Sequence, residues 1–167
     1  MVQLNFLIIA LAALIPLAIG FIWYMPQVFG NAWMKASNMN EEQMKGANML
    51  LIFGLTYILG FMASMALSTM VIHQFAIGSI LAETAGIKDP SSEVGMWLTD
   101  FMNKYGNNFR TFKHGVFHGV IAGIFFVTPV IAVNAMFERK GFKYIAINAG
   151  FWMVCLALMG GVICQFN

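Results

Sequence analysis

From Ala47 to Ala82 the chain runs for 36 residues without a single Lys, Arg, Asp or Glu. As one helix such a run would reach about 54 Å, at about 1.5 Å per residue, against a hydrocarbon core of about 30 Å. Three more runs are nearly as clean, Leu4 to Met25, Phe112 to Met136 and Phe142 to Phe166, with only Lys113 and Lys143 at the starts of the last two. Backbone immersed in lipid must satisfy its own N–H and C=O groups, so runs of this kind fold as helices. Composition agrees, since 60% of the 167 residues are apolar and 10% charged, against about 45–50% and about 25% in soluble domains. The expected fold is all-α: a polytopic integral membrane protein, a four-transmembrane-helix bundle in one membrane domain.

The spans are expected over 4–25, 47–70, 112–136 and 142–166. The second is too long to be absorbed by tilt, so its helix should leave the lipid near Met70 and continue, whole or broken, to about residue 83. Pro16 inside the first run removes a backbone donor and predicts a kink. Met1 to Asn5 carries no Lys or Arg, and Trp23-Tyr24 offers no small-residue cleavage site. The first run therefore reads as a retained membrane helix rather than a secretion signal. After it, Phe29 and Trp33 stand four apart, which predicts an interfacial helix. Asn40-Glu41-Glu42-Gln43 has the form of a capping box, and the second span is expected to start there. The large polar loop, 84–111, contains Val94, Trp97, Leu98, Phe101 and Met102 at three/four spacing, so 92–105 should be an amphipathic helix that either lies on the bilayer or, as the favoured reading, caps the bundle.

The link from Glu138 to Lys143 is short, which makes the third and fourth spans antiparallel neighbours. Its Arg139, Lys140 and Lys143 favour the cytoplasmic side by the positive-inside tendency. Both termini and the large loop are then expected outside the cytoplasmic membrane. The net charge of +2 and the lack of any basic patch exclude a nucleic-acid partner. Cys155 and Cys164, nine apart on one helix, lie about 13 Å from each other and cannot form a disulfide.

Lipid tails are as apolar as leucine, so helices associate in a bilayer through close approach at small residues. Two ridges have the required four-residue spacing: Gly115, Gly119 and Gly123 in the third span, and Thr56, Gly60, Ser64 and Ser68 in the second. Both are expected to pack against other helices, within the chain or across a subunit boundary.

The chemistry-bearing residues are few. His114 and His118 share one helical face near the start of the third span, and His73 falls near the far end of the second. Three imidazoles suit a transition metal with three protein ligands, a proton relay, or plain hydrogen bonds to loop carbonyls. Asn134 and Asn148 flank the basic link and are expected to bond each other or its backbone, unless they form a substrate-binding pair. Fourteen methionines raise Cu(I) as a ligand, but their irregular spacing in apolar segments reads as gap filling. No charged residue lies deep in a span, which counts against an ion-coupled carrier. No motif supports an enzyme or predicts a cofactor.

The segment Gly-Phe-Ile-Trp-Tyr-Met-Pro-Gln-Val-Phe-Gly-Asn-Ala-Trp-Met at 20–34, with Val-Asn-Ala-Met-Phe-Glu-Arg-Lys-Gly-Phe-Lys-Tyr-Ile-Ala-Ile-Asn-Ala-Gly-Phe-Trp at 133–152, resembles the bacterial membrane family known as domain of unknown function 1761. Phe151 stands where tyrosine is frequent in that pattern. The resemblance implies a small four-helix membrane protein and transfers no catalytic residue. It marks Trp23, Tyr24, Phe29, Gly30, Trp33, Asn134, Glu138, Arg139, Asn148 and Trp152 as pattern positions that should gather on the cytoplasmic face, with Glu138 or Arg139 pairing with the 26–34 segment.

Three functional expectations stand together. The first is a structural or accessory membrane subunit, self-associating or part of a larger complex. The second is passive permeation or small-molecule binding along Thr56, Ser64, Ser68, Thr128 and Asn148. The third is a histidine-dependent metal site at His73, His114 and His118.

Overall fold

The structure, a computed structural model, describes residues 3–167. Four helical segments are long and apolar enough to cross a membrane: Phe6–Trp23, Met49–Val71, Phe112–Phe137 and Phe142–Phe166. Among the described residues there is no strand.

The first segment is two helices, α1 (Phe6–Ala12) and α2 (Ile15–Trp23). Pro16 has no N–H to continue the ladder, and Leu17 N–H bonds the Leu14 carbonyl instead of the residue four back. The chain then makes a wide turn over Pro26–Gly30, closed by Gly30 N–H on the Met25 carbonyl at 2.9 Å. A Cβ at position 30 would lie 2.3 Å from the Tyr24 carbonyl oxygen, so this turn admits only glycine. The interfacial helix α3 (Asn31–Ser37) follows and ends on Asn38 in the left-handed region, φ +59°.

The capping box at Asn40 forms, with Asn40 Oδ1 accepting from Gln43 N–H and Gln43 Oε1 accepting from Asn40 N–H, both at 2.9 Å. It does not start the second span. It opens the single turn α4 (Glu41–Met44), which stops because Lys45 is extended and Gly46 has φ +87°. The span begins anew as α5 (Met49–Val71), capped by Asn48, whose side chain accepts from Leu51 N–H.

α5 breaks at Ile72, which is extended, and the chain resumes as α6 (Gln74–Ile80). The amphipathic helix α7 (Glu93–Tyr105) starts on the Ser92 cap. The third span is α8 (Phe112–Ala122) running through a wide turn at Gly123–Val127 into α9 (Thr128–Phe137). Proline 129 lacks an N–H, and Thr128 Oγ1 donates to the Gly123 carbonyl at 2.7 Å inside this wide turn. After the link, the fourth span is the unbroken α10 (Phe142–Phe166).

α10 is the centre of the bundle: more than half of its apolar stretch is buried, against about a fifth in each of the other three spans. The glycine ridge of α8 explains why. A Cβ on Gly115 would stand 2.0 Å from the Gly160 carbonyl oxygen, and one on Gly119 would stand 2.1 Å from that of Leu156. The two backbones therefore touch, and side chains of α10 such as Cys155, Leu156, Met159 and Ile163 fill the space between spans. The α5 ridge meets the first span, where Gly60 lies against the Ala13 carbonyl at the α1–α2 break, with Ser64 and Ser68 fully buried. Gly60, Ser64 and Ser68 of one ridge and Gly115, Gly119 and Gly123 of the other are thus buried inside one chain, whereas Thr56 is only partly covered.

Both termini and the large loop share one end of the bundle. Asn5 N–H donates to Asn167 Oδ1 at 2.8 Å, Phe112 N–H to Gln165 Oε1 at 3.0 Å, and the Arg110 guanidinium to the Cys164 and Asn167 carbonyls. The buried Cys164 thiol sits 3.3 Å from the carbonyls of Val71 and Phe109, so α5, α10 and the loop are joined there. Cys155 and Cys164 are both free.

Candidate metal centre

The same end carries the three histidines. His73 occupies the two-residue break between α5 and α6, and its exposed ring is free of either helix ladder. His114 and His118 project one turn apart from α8, whose start is set by the Thr111 side chain accepting from His114 N–H. Because α8 is held against α10 by backbone contact, the level of both rings is fixed by the glycine ridge beside them, Gly115 and Gly119 alternating with the two histidines along the helix. Both α8 rings are half-buried.

The three rings converge. Their centroids are 4.8 Å apart for His73–His114, 4.8 Å for His73–His118 and 4.5 Å for His114–His118, with interplanar angles from 62° to 81°. The Nε2 atoms of His73 and His114 are 2.9 Å apart, a distance at which one ring donates to the other. One ring nitrogen from each residue lies within 4.8 Å of the other two. A tetrahedral ion with metal–nitrogen bonds of about 2.1 Å places its ligand nitrogens about 3.4 Å apart. The observed separations, from 2.9 Å to within 4.8 Å, bracket that value. Phe109 flanks the trio, its ring 5.2 Å from His114 and 6.5 Å from His73, and Phe117 stands 5.4 Å from His118. Three imidazoles with no carboxylate among them form a set suited to zinc, copper, nickel or cobalt rather than calcium or magnesium. Three protein ligands leave a fourth position for water or an external group.

The pattern residues gather at the opposite end, but only in part. Trp23 Nε1 donates to the Ile147 carbonyl at 3.2 Å, and the Tyr24 hydroxyl to Asn148 Oδ1 at 3.0 Å. Trp23 packs on Phe29 with centroids 4.6 Å apart, Tyr24 on Trp33 at 5.6 Å and on Phe151 at 5.3 Å, and Trp152 on Phe151 at 5.4 Å. Asn148 also donates to the Tyr144 carbonyl at 2.8 Å, so it does not pair with Asn134, which is exposed. Glu138 and Arg139 are exposed as well. Arg139 has φ +56°, and Lys140 N–H reaches the Ala135 carbonyl while Arg139 N–H reaches Met136, the two bonds of a Schellman ending. The cation that joins the link to the 26–37 segment is Lys140, whose ammonium donates to the Ser37 carbonyl. A polar residue at a helix end is drawn to the nearest unsatisfied carbonyl, and the last turn of α3 offers one.

Three further polar residues of the spans look to their own helices. Thr56 Oγ1 donates to Ile52 at 2.8 Å, Ser68 Oγ to Met65 at 2.6 Å, and Thr128 to Gly123. Ser64 Oγ is buried with no partner among the described residues. Met62 is 61% exposed on the lipid side of α5, the position of a surface side chain. Sequence reasoning had no signal for Phe109, whose ring reaches the histidines because its backbone takes φ +62°.

Four apolar helices, an interfacial helix, an amphipathic cap and a histidine trio at one boundary define a multi-pass membrane protein. Residues 7–164 match the family described as Protein of unknown function (DUF1761), and the chain belongs to that family. No curated protein and no solved structure matches the chain.

Proposed function

We propose that this protein is an accessory membrane protein that holds one divalent transition-metal ion on His73, His114 and His118. The observation that carries the reading is the convergence of three ring nitrogens within 4.8 Å of one another, two from α8 and one from the α5–α6 break. Ligation needs each nitrogen free of its proton. In the ring that now donates between His73 and His114, the proton shifts to Nδ1, leaving Nε2 for the metal. The ion would then tie the α5–α6 break to the start of α8 and keep one coordination position open. In a cytoplasmic membrane with the basic link inside, the site and both termini face the exterior. Permeation receives less support, because four of the five polar groups proposed for a path bond carbonyls of their own helices or a neighbouring tyrosine.

The test is metal titration of tag-free protein in mild detergent with Co²⁺, whose visible absorption reports a tetrahedral site, and with Zn²⁺ in competition. One ion per chain is expected, with the absorption lost in His114→Ala and His118→Ala while helix content is unchanged. Absence of stoichiometric binding, or equal binding by a variant lacking all three histidines, overturns the reading.

A further inference from the structure

The cap helix α7 uses only half of its apolar face on the protein. Leu98 is buried, and with Met102 it closes a shallow seam against Gln74, Phe75, Ile77 and Gly78 of α6. Gly95 lies against the Asp89 carbonyl, where a Cβ would come within 2.0 Å. The other half is an aromatic ladder one turn per step: Trp97 stacks on Phe101 with centroids 5.4 Å apart, and Phe101 meets Tyr105 at 5.2 Å. Trp97 is 51% and Tyr105 41% exposed. Lys104 places its ammonium 5.4 Å from the Tyr105 ring.

The position of this ladder is tied to the membrane boundary. Gln74, three residues beyond the last residue of the second span, donates from Nε2 to the Asn108 carbonyl at 2.8 Å. Asn108 lies three residues after Tyr105 and four before Phe112, where the third span begins. The C-terminal end of α7 is therefore held at the level where two spans leave the hydrocarbon, and exposed Phe112 begins α8 there. Tryptophan and tyrosine prefer that level, with the ring among acyl chains and the polar edge at the headgroups. Loop residues 84–111 carry Lys88, Lys104 and Arg110 against Asp89, Glu93 and Asp100, a balance of zero, so anionic headgroups provide no net attraction.

We infer that α7 is an interfacial membrane anchor whose Trp97–Phe101–Tyr105 ladder docks into the headgroup layer of a phospholipid bilayer, largely independently of lipid charge. The ladder faces lipid, and the opposite face with Thr99 and Asn103 faces water. This anchor is separate from the histidine site and stands whether or not that site takes a metal.

The test uses the full chain reconstituted in phosphatidylcholine vesicles, with nitroxide labels at Trp97→Cys and, separately, Thr99→Cys, read by collision with oxygen and with a water-soluble nickel chelate. Oxygen collisions should outnumber chelate collisions at position 97, and the order should reverse at position 99, unchanged when a third of the lipid is phosphatidylglycerol. A second measurement leaves the ladder intact: brominated lipid should quench more tryptophan fluorescence in the unsubstituted protein than in Trp97→Phe. Chelate access at 97 equal to that at 99, shielding of 97 from both reagents as under a protein neighbour, or docking only on anionic vesicles would overturn the inference.

Discussion

The seam between α8 and α10 predicts that one methyl group in the wrong glycine will loosen the bundle. Gly119→Ala adds a Cβ that would lie 2.1 Å from the Leu156 carbonyl oxygen, 2.5 Å from its carbon and 2.7 Å from the Ala157 Cα, whereas real Cβ contacts essentially never fall below 3.0 Å. All three neighbours are backbone, so no side chain can swing aside. The helices must part by at least about 0.9 Å, and a gap of 0.5–1 Å forfeits about a quarter to a half of each dispersion contact it opens. Overpacking of this kind typically costs about 1–3 kcal/mol, and a backbone clash belongs at the upper end. At about 3 kcal/mol the folded-to-unfolded ratio falls roughly 150-fold. Gly54→Ala is the internal control, because nothing lies within 4 Å of its Cβ position on α5. There the same methyl should be neutral or stabilise by up to about 1 kcal/mol through the lower backbone entropy of the unfolded chain. The assay is reversible denaturation in mixed detergent micelles, followed by near-ultraviolet circular dichroism. Equal midpoints for the two variants would refute the account of the seam.

Three other predictions concern single contacts. Removing the Tyr24 hydroxyl with Tyr24→Phe should cost about 0.6–1.7 kcal/mol, the range for side-chain hydrogen bonds inside membranes, and a double-mutant cycle with Asn148→Ala should assign that cost to the pair; additive effects would deny the bond. Asp89 accepts from the Ser91 hydroxyl at 2.7 Å and the Ser91 N–H at 2.9 Å, which holds its carboxyl below the usual 3.8. A carboxyl so lowered steadies its turn above the ordinary carboxylate range and loses that support as pH falls through its own lower value, so the Ser91 amide resonance should titrate with a midpoint under 3.8 and stop titrating in Asp89→Asn. Saturating Zn²⁺ at 100 times its dissociation constant should raise folding stability by about 2.7 kcal/mol, reversed by chelator and absent in His118→Ala; equal stabilisation of that variant would place the ion elsewhere.

What the chain itself determines here is whatever depends on local order. Absence of charge over helix-length runs marks the spans, because each residue's transfer into lipid is decided independently of its distant neighbours. Four-residue spacing puts His114 beside His118, and Gly115, Gly119 and Gly123 in one line, because helix geometry is the same everywhere. Asn40 with Gln43 spells a helix start correctly, yet the span begins later, at Asn48, since the extended Lys45 and the left-handed Gly46 interrupt the ladder between them.

Tertiary structure alone decided which lines meet. The glycine line of α8 found α10 because only there could two backbones come into contact, and that contact sets the height of His114 and His118. His73 joins them because α5 ends at Val71 and the extended Ile72 turns the chain toward α8; the length of the uncharged run placed the end of the span near Met70 but could not say whether the helix broke there. Lys140 rather than Arg139 reaches α3 because the Schellman ending turns Arg139 outward. Local pattern is a property of neighbours along the chain, whereas a site built from the α5–α6 break and α8 exists only once backbone packing has chosen which helices touch and at what register.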